Sequence, residues 1–279
     1  MIKQFSKVEE LQNWRAEQAG LKIAFVPTMG ALHQGHLSLI KEASALADIV
    51  IVSIFVNPTQ FAPTEDFGSY PRSLALDIAS LEPLGVACVF TPEAKEIYPE
   101  SFQTYIDNPL LGKVLCGAAR PIFFRGVLTV LLKLFNLIRP NFVVMGKKDY
   151  QQFRIVERMV KDLHLDITVV GSPLVRDLDG LALSSHNKYL DHQNRKEALH
   201  LSKGLLAAKQ AFEGGERVLE KLLLVAENEI KKSSAIKIDY LQIVNKFSLD
   251  NEPAKVSEEA VFLAAVNIGN VRLIDNCEL

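Results

Sequence analysis

The chain of 279 residues has little cysteine and tryptophan, with three of the first and one of the second. Cys88, Cys116 and Cys277 have neither the spacing of a metal site nor that of a disulfide framework. Cys88 lies within an apolar run and is predicted to be a small core residue. This cysteine usage argues against a disulfide-stabilised secreted fold and favours a reducing, cytoplasmic compartment.

The chain also lacks long hydrophobic runs and any concentration of charge. Its longest strongly apolar run, 49–56, is far too short to span a bilayer, and its first residues lack the apolar core of a secretory signal. The net charge is −2 and the basic residues are scattered, so we expect neither a nucleic-acid nor a membrane partner. An apolar fraction of 48% and a charged fraction of 23% are typical of a globular protein.

Short apolar runs alternate with helical patterns over the first two-thirds of the chain. Runs without strand-like alternation predict strands that are buried on both faces, at 23–26, 49–55, 86–90, 142–145 and 167–171. Between them, apolar residues recur at helical spacing in 37–47 and 152–163. The alternation predicts a Rossmann-like, doubly wound parallel sheet of the α/β class, with ligands at the carboxyl ends of the strands.

The pattern changes after the polar segment 176–180. Residues 193–232 predict two helices separated by Gly214-Gly215, and the remainder predicts short strands at 236–244, 260–266 and 271–274. These elements predict a second, smaller α+β domain at the C-terminal end. We therefore expect domains at 1–175 and 176–279.

The sequence His33-Gln34-Gly35-His36 follows the first predicted strand and a sharp turn. Two imidazoles three residues apart in the first turn of a helix lie on one face, beside free backbone N–H groups that attract anions. Such a site can hold the phosphates of a nucleotide and stabilise charge while the α-phosphate is attacked. The alternative is a pair of structural histidines that cap the turn.

Polar side chains also follow two other predicted strands, those that end at 55 and 145. Asn57 and Gln60 carry amides, which donate and accept together and suit a substrate with hydroxyls and a carboxylate. Lys148 is a compact cation for triphosphate oxygens, and Asp149 can accept from ribose hydroxyls. The alternatives are an ordinary strand-ending turn and a charged helix start.

Two adjacent serines, Ser184 and Ser185, lie beside basic residues near the predicted domain junction. Their hydroxyls and backbone amides can clamp a polyphosphate. The alternative is a cluster of residues that caps the N-terminus of a helix.

These blocks, in this order, resemble the motifs of the pantothenate synthetase family, which belongs to the adenylate-forming nucleotidyltransferases with a His-x-Gly-His signature. The resemblance covers roughly residues 20–190. It rests on VPTMGALHQGHL at 26–37, FVNPTQF at 55–61, RPIFFRGV at 120–127, GKKDYQQ at 146–152 and RDLDGLALSSHNKYL at 176–190.

The resemblance implies an ATP-dependent ligase that condenses pantoate with β-alanine through a pantoyl adenylate and releases AMP and pyrophosphate. Its catalytic residues would be His33, His36 and Lys148. It implies ATP contacts for Met29, His33, His36, Gly146, Lys148, Asp149, Ser184, Ser185 and His186, and pantoate contacts for Met29, Asn57, Gln60 and Gln152. It also implies a homodimer, and ATP implies Mg²⁺. A reactive adenylate must be shielded from water, which predicts that the C-terminal domain acts as a lid.

Two departures from the family pattern each remove an expected phosphate contact. Phe123 stands where the family has His, and His186 stands where it usually has Arg. A phenyl ring can neither donate to a phosphate nor carry positive charge, although a protonated His186 is a cation and Arg125 or Lys188 can substitute. A weakened or non-catalytic nucleotide-binding paralogue therefore stays open. Another adenylyl- or cytidylyltransferase is a further alternative, against which Gln60 argues.

Overall fold

The computed structural model describes residues 2–61, 67–68, 70–71 and 73–279, which divide into two compact units. The first unit comprises the chain up to Lys147 together with Gln152–Pro173. The second comprises Lys148–Gln151 and Leu174–Leu279. The short segment Lys148–Gln151 thus groups with the second unit, although its chain neighbours belong to the first. No sequence pattern predicts this assignment.

The first unit is built on a six-stranded parallel sheet with the strand order β1-β4-β3-β2-β5-β6. The strands are β1 (Lys3–Phe5), β2 (Ile23–Thr28), β3 (Ile49–Ile54), β4 (Cys88–Phe90), β5 (Phe142–Gly146) and β6 (Thr168–Ser172). The predicted Rossmann-like α/β fold is confirmed. Sequence patterns missed β1, because this edge strand has only three residues, of which Lys3 and Gln4 are exposed and polar.

The helices of the first unit cover both faces of this sheet. They are α1 (Val8–Glu17), α2 (Gln34–Leu46), α3 (Leu74–Leu81), α4 (Ala94–Ile97), α5 (Cys116–Ala119), α6 (Phe123–Ile138) and α7 (Tyr150–Asp162), whose first two residues group with the second unit. Ile23 and Phe25 of β2 pack in one core with α6, whereas Ala24 and Val26 pack in another with α2. Burial on both faces explains why the strands are apolar throughout. Cys88 is a fully buried, free core thiol, as predicted.

The strand order brings the ends of three strands to one edge of the sheet. β2 pairs with β3 on one side and with β5 on the other, and all three are parallel. The chain passes from β4 to the far side of β2 before it forms β5, which creates a topological switch point beside β2. The segment after β2 carries His33 and His36, and the segment after β3 carries Asn57 and Gln60. Gly146 is the last residue of β5.

The second unit is a small α+β structure, as predicted. It contains α8 (His192–Glu213), α9 (Leu219–Ile230) and an antiparallel sheet of β7 (Ile236–Asn245), β8 (Ala260–Ile268) and β9 (Val271–Glu278) in that order. Leu205 and Phe212 of α8 pack with Phe262 of β8 in its core. Across the part of the chain that the structure describes, none of the helices has the length and apolar character needed to cross a bilayer.

Candidate active site

The chain makes a left-handed turn between β2 and α2. Gly30 and Ala31 have φ angles of 87° and 52°. The Thr28 hydroxyl accepts the N–H of Gly30 at 3.2 Å and so fixes the start of the turn. The turn delivers His33 to the N-cap position of α2 and His36 to its first turn.

His33 and His36 are held against each other by the backbone. The N–H of His33 donates to Nδ1 of His36 at 3.3 Å, and the N–H of Gly35 donates to Nδ1 of His33 at 3.1 Å. The ring centroids lie 4.1 Å apart. Because each Nδ1 accepts a hydrogen bond, each neutral ring carries its proton on Nε2. The two imidazoles therefore lie side by side, each with an Nε2–H donor.

The expectation that the backbone N–H groups beside the histidines are free is wrong for two of them. Those of His33 and Gly35 donate to imidazole nitrogens. The Nδ1 atoms thus act as caps, as the alternative interpretation predicts, whereas anion binding by the Nε2 atoms stays a prediction. A phosphate at this helix start would meet ring donors instead of these two backbone amides.

Asn57 and Gln60 are joined by a single 3₁₀ turn, Pro58–Gln60, after β3. Asn57 caps that turn, since its Oδ1 accepts the N–H of Thr59 at 3.3 Å. The exposed fraction is 1% for Asn57 and 7% for Gln60. Both amides are therefore buried polar groups whose hydrogen bonds fix their orientation.

The carbonyl of Gly126 determines the orientation of both amides. It can only accept, so the Asn57 atom 3.1 Å away is Nδ2. Asn57 Nδ2 also donates to Gln60 Oε1 at 3.1 Å, which turns Gln60 Nε2 toward Met29 Sδ at 3.0 Å. The amide hydrogens of Gln60 therefore face Met29, which lies in the turn between β2 and α2.

The side chain of Asn57 has no hydrogen-bonding capacity left for a ligand. Both hydrogens on Nδ2 are used by Gly126 and Gln60. Its Oδ1 accepts from the Thr59 backbone, from the Thr59 hydroxyl at 3.0 Å and from the Tyr98 hydroxyl at 2.9 Å. The resemblance placed Asn57 among the pantoate contacts. That contact stays a prediction, and the hydrogen bonds show that Asn57 orients Gln60.

Helix α6 approaches the 3₁₀ turn through Gly126. A Cβ added to Gly126 would lie 2.3 Å from the carbonyl oxygen of Thr59 and 2.7 Å from Cα of Gln60. Only glycine allows this separation of the two backbones. The following residues of α6 form core, with Leu128 and Leu134 buried. The helix therefore sets the position of Gln60 as well as filling the core.

Tyr98 supports Asn57 through its hydroxyl, whose pKa is raised to about 12 by burial. The hydroxyl is thus protonated and can donate at any pH near neutrality. We expect Tyr98→Phe to lower the free energy of unfolding by about 1 kcal/mol, because it removes the hydrogen bond to Asn57 and the contact with the Thr59 hydroxyl. Urea denaturation measures this change, with Tyr105→Phe as the matched control on an exposed ring. Equal losses in both variants would contradict the role given to the Tyr98 hydroxyl.

In the second unit, Lys148 and Asp149 lie in the single 3₁₀ turn between β5 and α7. The Lys148 ammonium is 3.9 Å from Oδ1 of Asp149, so Asp149 neutralises it only weakly. The Lys148 carbonyl accepts from Asn276 Nδ2 at 2.9 Å. The adjacent Asp275 receives two hydrogen bonds from Arg176, at 2.7 and 2.9 Å. Burial raises the pKa of Asp275, and the Arg176 guanidinium counters that effect.

The serine block also lies in the second unit. The Ser184 hydroxyl accepts the N–H of His186 at 3.2 Å and caps the 3₁₀ turn Ser185–Tyr189. Ser184 therefore acts as a cap, as the alternative interpretation predicts. The ring of His186 is exposed, and its Nδ1 lies 3.3 Å from the same hydroxyl. The clamp on a polyphosphate by these residues stays a prediction.

Phe123, at the start of α6, is covered by a cation. The Arg120 guanidinium lies 3.8 Å from the centroid of its ring. Arg125, one of the suggested substitutes for the missing histidine, is exposed and lies 4.9 Å from the ring centroid of Tyr105. Positive charge beside Phe123 is therefore supplied by Arg120.

Two remaining predicted residues lie in the first unit. Gly146 ends β5 and pairs with Ser172 of β6. Gln152 is half-buried near the start of α7. Their contacts with a nucleotide and with an acid substrate stay predictions.

Sequence reasoning missed Asp77 of α3. Its carboxylate is buried, with 3% exposed, and accepts the N–H of Ala31 at 3.0 Å and the N–H of Leu32 at 2.8 Å. A signal was present, because Asp77 lies one helical turn before the buried Leu81 in an otherwise apolar segment. A carboxylate in such a place requires hydrogen-bond partners from elsewhere in the fold.

Comparison with known proteins identifies the family. The model of the pantoate-beta-alanine ligase family matches residues 3–278. The chain belongs to this family. A pantothenate synthetase of Thermosipho africanus is 47% identical, with 99% of each chain covered. One of Fervidobacterium nodosum is 51% identical over 92% of this chain and 91% of that protein. The chain is therefore a ligase that forms C–N bonds.

Solved structures of the family share this fold. The pantothenate synthetase of Thermus thermophilus has a TM-score of 0.94 at 41% identity, with 99% of each chain covered. The pantoate-beta-alanine ligase of Francisella tularensis, complexed with beta-gamma ATP and beta-alanine, has a TM-score of 0.82 at 35% identity. That alignment covers 100% of this chain and 98% of the other.

Proposed function

We propose that this ligase condenses pantoate with β-alanine in an ATP-dependent reaction that passes through a pantoyl adenylate. The observation that carries the proposal is the pair of Nε2-protonated imidazoles after β2, beside the oriented Gln60 amide after β3. The Francisella tularensis complex supports ATP and β-alanine as two of the substrates. The names of the relatives favour this reaction over that of another nucleotidyltransferase.

In the proposed first step, a carboxylate oxygen of pantoate attacks the α-phosphorus of ATP and pyrophosphate leaves. No nucleophilic side chain is required, because the substrate supplies the nucleophile. His33 and His36 donate from Nε2 to the α-phosphate oxygens, where negative charge develops in the transition state. Gln60 and Gln152 hold pantoate in line with the bond that breaks.

The remaining roles concern the nucleotide. The ammonium of Lys148 binds phosphate oxygens and the carboxylate of Asp149 binds the ribose. Further nucleotide contacts are assigned to Met29, Gly146, Ser184, Ser185 and His186. The support for Lys148 is its weak pairing with Asp149 and the hydrogen bond that anchors its main chain.

In the proposed second step, the amine nitrogen of β-alanine attacks the acyl carbon of the adenylate. The bond between that carbon and the phosphate oxygen breaks, AMP leaves, and the nitrogen loses a proton as the amide forms. AMP is a stable anion, so its departure requires no acid from the protein. The protein contributes position and exclusion of water.

Mg²⁺ is expected to accompany ATP. Among the residues that the structure describes, no group of three or more His, Cys, Asp or Glu side chains is arranged to hold a metal ion. We therefore name no residues as ligands of the metal and assign no step to it. The homodimer, the cytoplasmic location and the lid role of the C-terminal domain likewise stay predictions.

Pantoate labelled with ¹⁸O in its carboxylate tests the proposed reaction. We expect pantothenate and AMP in equal amounts, no ADP, and transfer of one labelled oxygen to AMP, because the second step breaks the bond to the acyl carbon. A reaction without β-alanine is the control and should release no AMP beyond one equivalent of enzyme. ADP together with labelled inorganic phosphate would indicate an acyl phosphate and contradict the proposal. A non-catalytic paralogue would form no pantothenate.

A further inference from the structure

The turn before the histidine pair has a conformation that L residues rarely adopt. Ala31 has a φ of 52°, in the left-handed region where a Cβ crowds the backbone. Gly30 has a φ of 87°, and a Cβ there would lie 3.0 Å from Cγ2 of Ile54 and 3.1 Å from Oδ2 of Asp77. Such a turn persists only where neighbouring groups impose it.

The carboxylate of Asp77 holds the second half of this turn by accepting two of its N–H groups. Oδ2 accepts the N–H of Ala31 at 3.0 Å and Oδ1 accepts the N–H of Leu32 at 2.8 Å. Hydrogen bonds to an ionised acceptor are stronger than those between neutral groups, and this pair is shielded from water. Asp77 lies 46 residues from Ala31 in the chain, so α3 anchors the turn from a distant part of the sequence.

We propose that Asp77 is a positioning residue for His33 and His36. Leu32 directly precedes His33, so fixing its N–H sets the direction in which the chain enters α2. That direction places the N–H of His33 on Nδ1 of His36 and the N–H of Gly35 on Nδ1 of His33. Asp77 thereby determines which nitrogen of each ring carries the proton. The catalytic consequence rests on the proposed function, whereas the effect on the rings does not.

A carboxylate that only stabilises the fold would behave differently from a positioning residue. Its loss would lower the free energy of unfolding and leave the rings unchanged in the folded protein. A positioning residue, when altered, also changes the ring tautomers and lowers kcat more than it raises KM. Nitrogen-15 spectra of the imidazoles separate the two cases, because an Nδ1 without a proton and an Nε2 with one have distinct shifts.

The test is Asp77→Asn, which keeps the size of the side chain but replaces one acceptor oxygen by a donor. We expect a folded protein in which the rate of pantoate-dependent pyrophosphate exchange falls about tenfold, with KM for pantoate within about twofold of the parent. The imidazole signals should lose the pattern of protonated Nε2 and unprotonated Nδ1. Unchanged exchange and unchanged imidazole signals would overturn the proposal.

Ser80→Ala is the matched control. The Ser80 hydroxyl donates to the Asp77 carbonyl at 2.7 Å, so its loss affects the same residue of α3 without altering the carboxylate. This variant should retain parent exchange and parent imidazole spectra. Spectra altered as strongly as in Asp77→Asn would mean that any disturbance of α3 moves the rings, and would overturn the specific role of the carboxylate.

Amide hydrogen exchange on the parent protein covers the case in which Asp77→Asn does not fold. The proposal expects slow exchange at Ala31 and Leu32, although both lie outside helices and strands. Exchange at the rate of an unprotected loop would contradict it. If the parent protein lacks pantoate-dependent activity, the proposed function fails, and the ring spectra still decide the role of Asp77.

Discussion

Replacement of His36 by alanine should lower the rate of pantoate-dependent pyrophosphate exchange by at least about two orders of magnitude. The substitution removes one of the two ring donors that we propose for the α-phosphate, and loss of such a donor costs roughly 3 kcal/mol of transition-state stabilisation. It also removes the Nδ1 that accepts the N–H of His33. Exchange of radiolabelled pyrophosphate into ATP at saturating substrates measures the effect.

Two control variants separate catalysis from capping. His36→Asn offers an oxygen near the position of Nδ1 but has no equivalent of Nε2, so it should be as defective as the alanine variant. Exchange restored by His36→Asn would show that the ring serves only as a cap. His192→Ala removes an exposed imidazole from the start of α8 and should leave exchange unchanged.

Gly126→Ala should raise KM for pantoate by about two orders of magnitude and lower the free energy of unfolding by about 1–3 kcal/mol. The new Cβ would lie 2.3 Å from the Thr59 carbonyl oxygen, so α6 and the 3₁₀ turn must separate. The Gly126 carbonyl would then move away from Asn57 Nδ2, and Gln60 would lose its orientation. Steady-state kinetics and urea denaturation measure the two effects.

Gly204→Ala is the matched control for overpacking. A Cβ on this helix glycine of the second unit would lie 2.8 Å from the Ala226 carbonyl oxygen. We expect a comparable loss of stability without an increase in KM for pantoate. If Gly126→Ala is destabilised while its KM for pantoate stays within about twofold of the parent, the link between α6 and Gln60 is wrong.

The sequence was sufficient for the fold class because both faces of the parallel sheet are covered. That burial makes the strands continuously apolar, which is a strong local signal. The edge strand β1 was missed because it has only three residues, two of them polar, and its partner β4 lies far along the chain. The grouping of Lys148–Gln151 with the second unit could not be predicted from the sequence either. It depends on contacts between distant residues, such as the one between Lys148 and Asn276.

The sequence proposes the residues of the candidate site, but it does not predict the hydrogen bonds that connect them. The spacing of His33 and His36 placed both rings at one helix start, and the structure adds that their Nδ1 atoms are occupied. The partners of Asn57 lie up to 69 residues away, at Gly126 and Tyr98, where no periodicity links them. The role of Asn57 in orienting Gln60 could therefore be read only from hydrogen bonds between distant residues.

Phe123, which replaces the histidine of the family motif, contacts a cationic side chain in the structure. The ring is stacked beneath the Arg120 guanidinium, whose Nη2 also lies 3.5 Å from the Gln60 carbonyl. The Phe123 ring thus packs against a cation near Gln60, although the ring itself carries no charge. The histidine pair, Lys148 and Gln60 retain the family residues, which favours an active enzyme over a non-catalytic paralogue.

Pyrophosphate exchange in the absence of β-alanine measures the proposed adenylation of pantoate alone. If pantoate attacks the α-phosphorus at the histidine pair, the first step runs reversibly without the amine. Label from pyrophosphate should then enter ATP only when pantoate is present. No exchange with pantoate and saturating ATP, or equal exchange without pantoate, would contradict the attack of pantoate on the α-phosphorus.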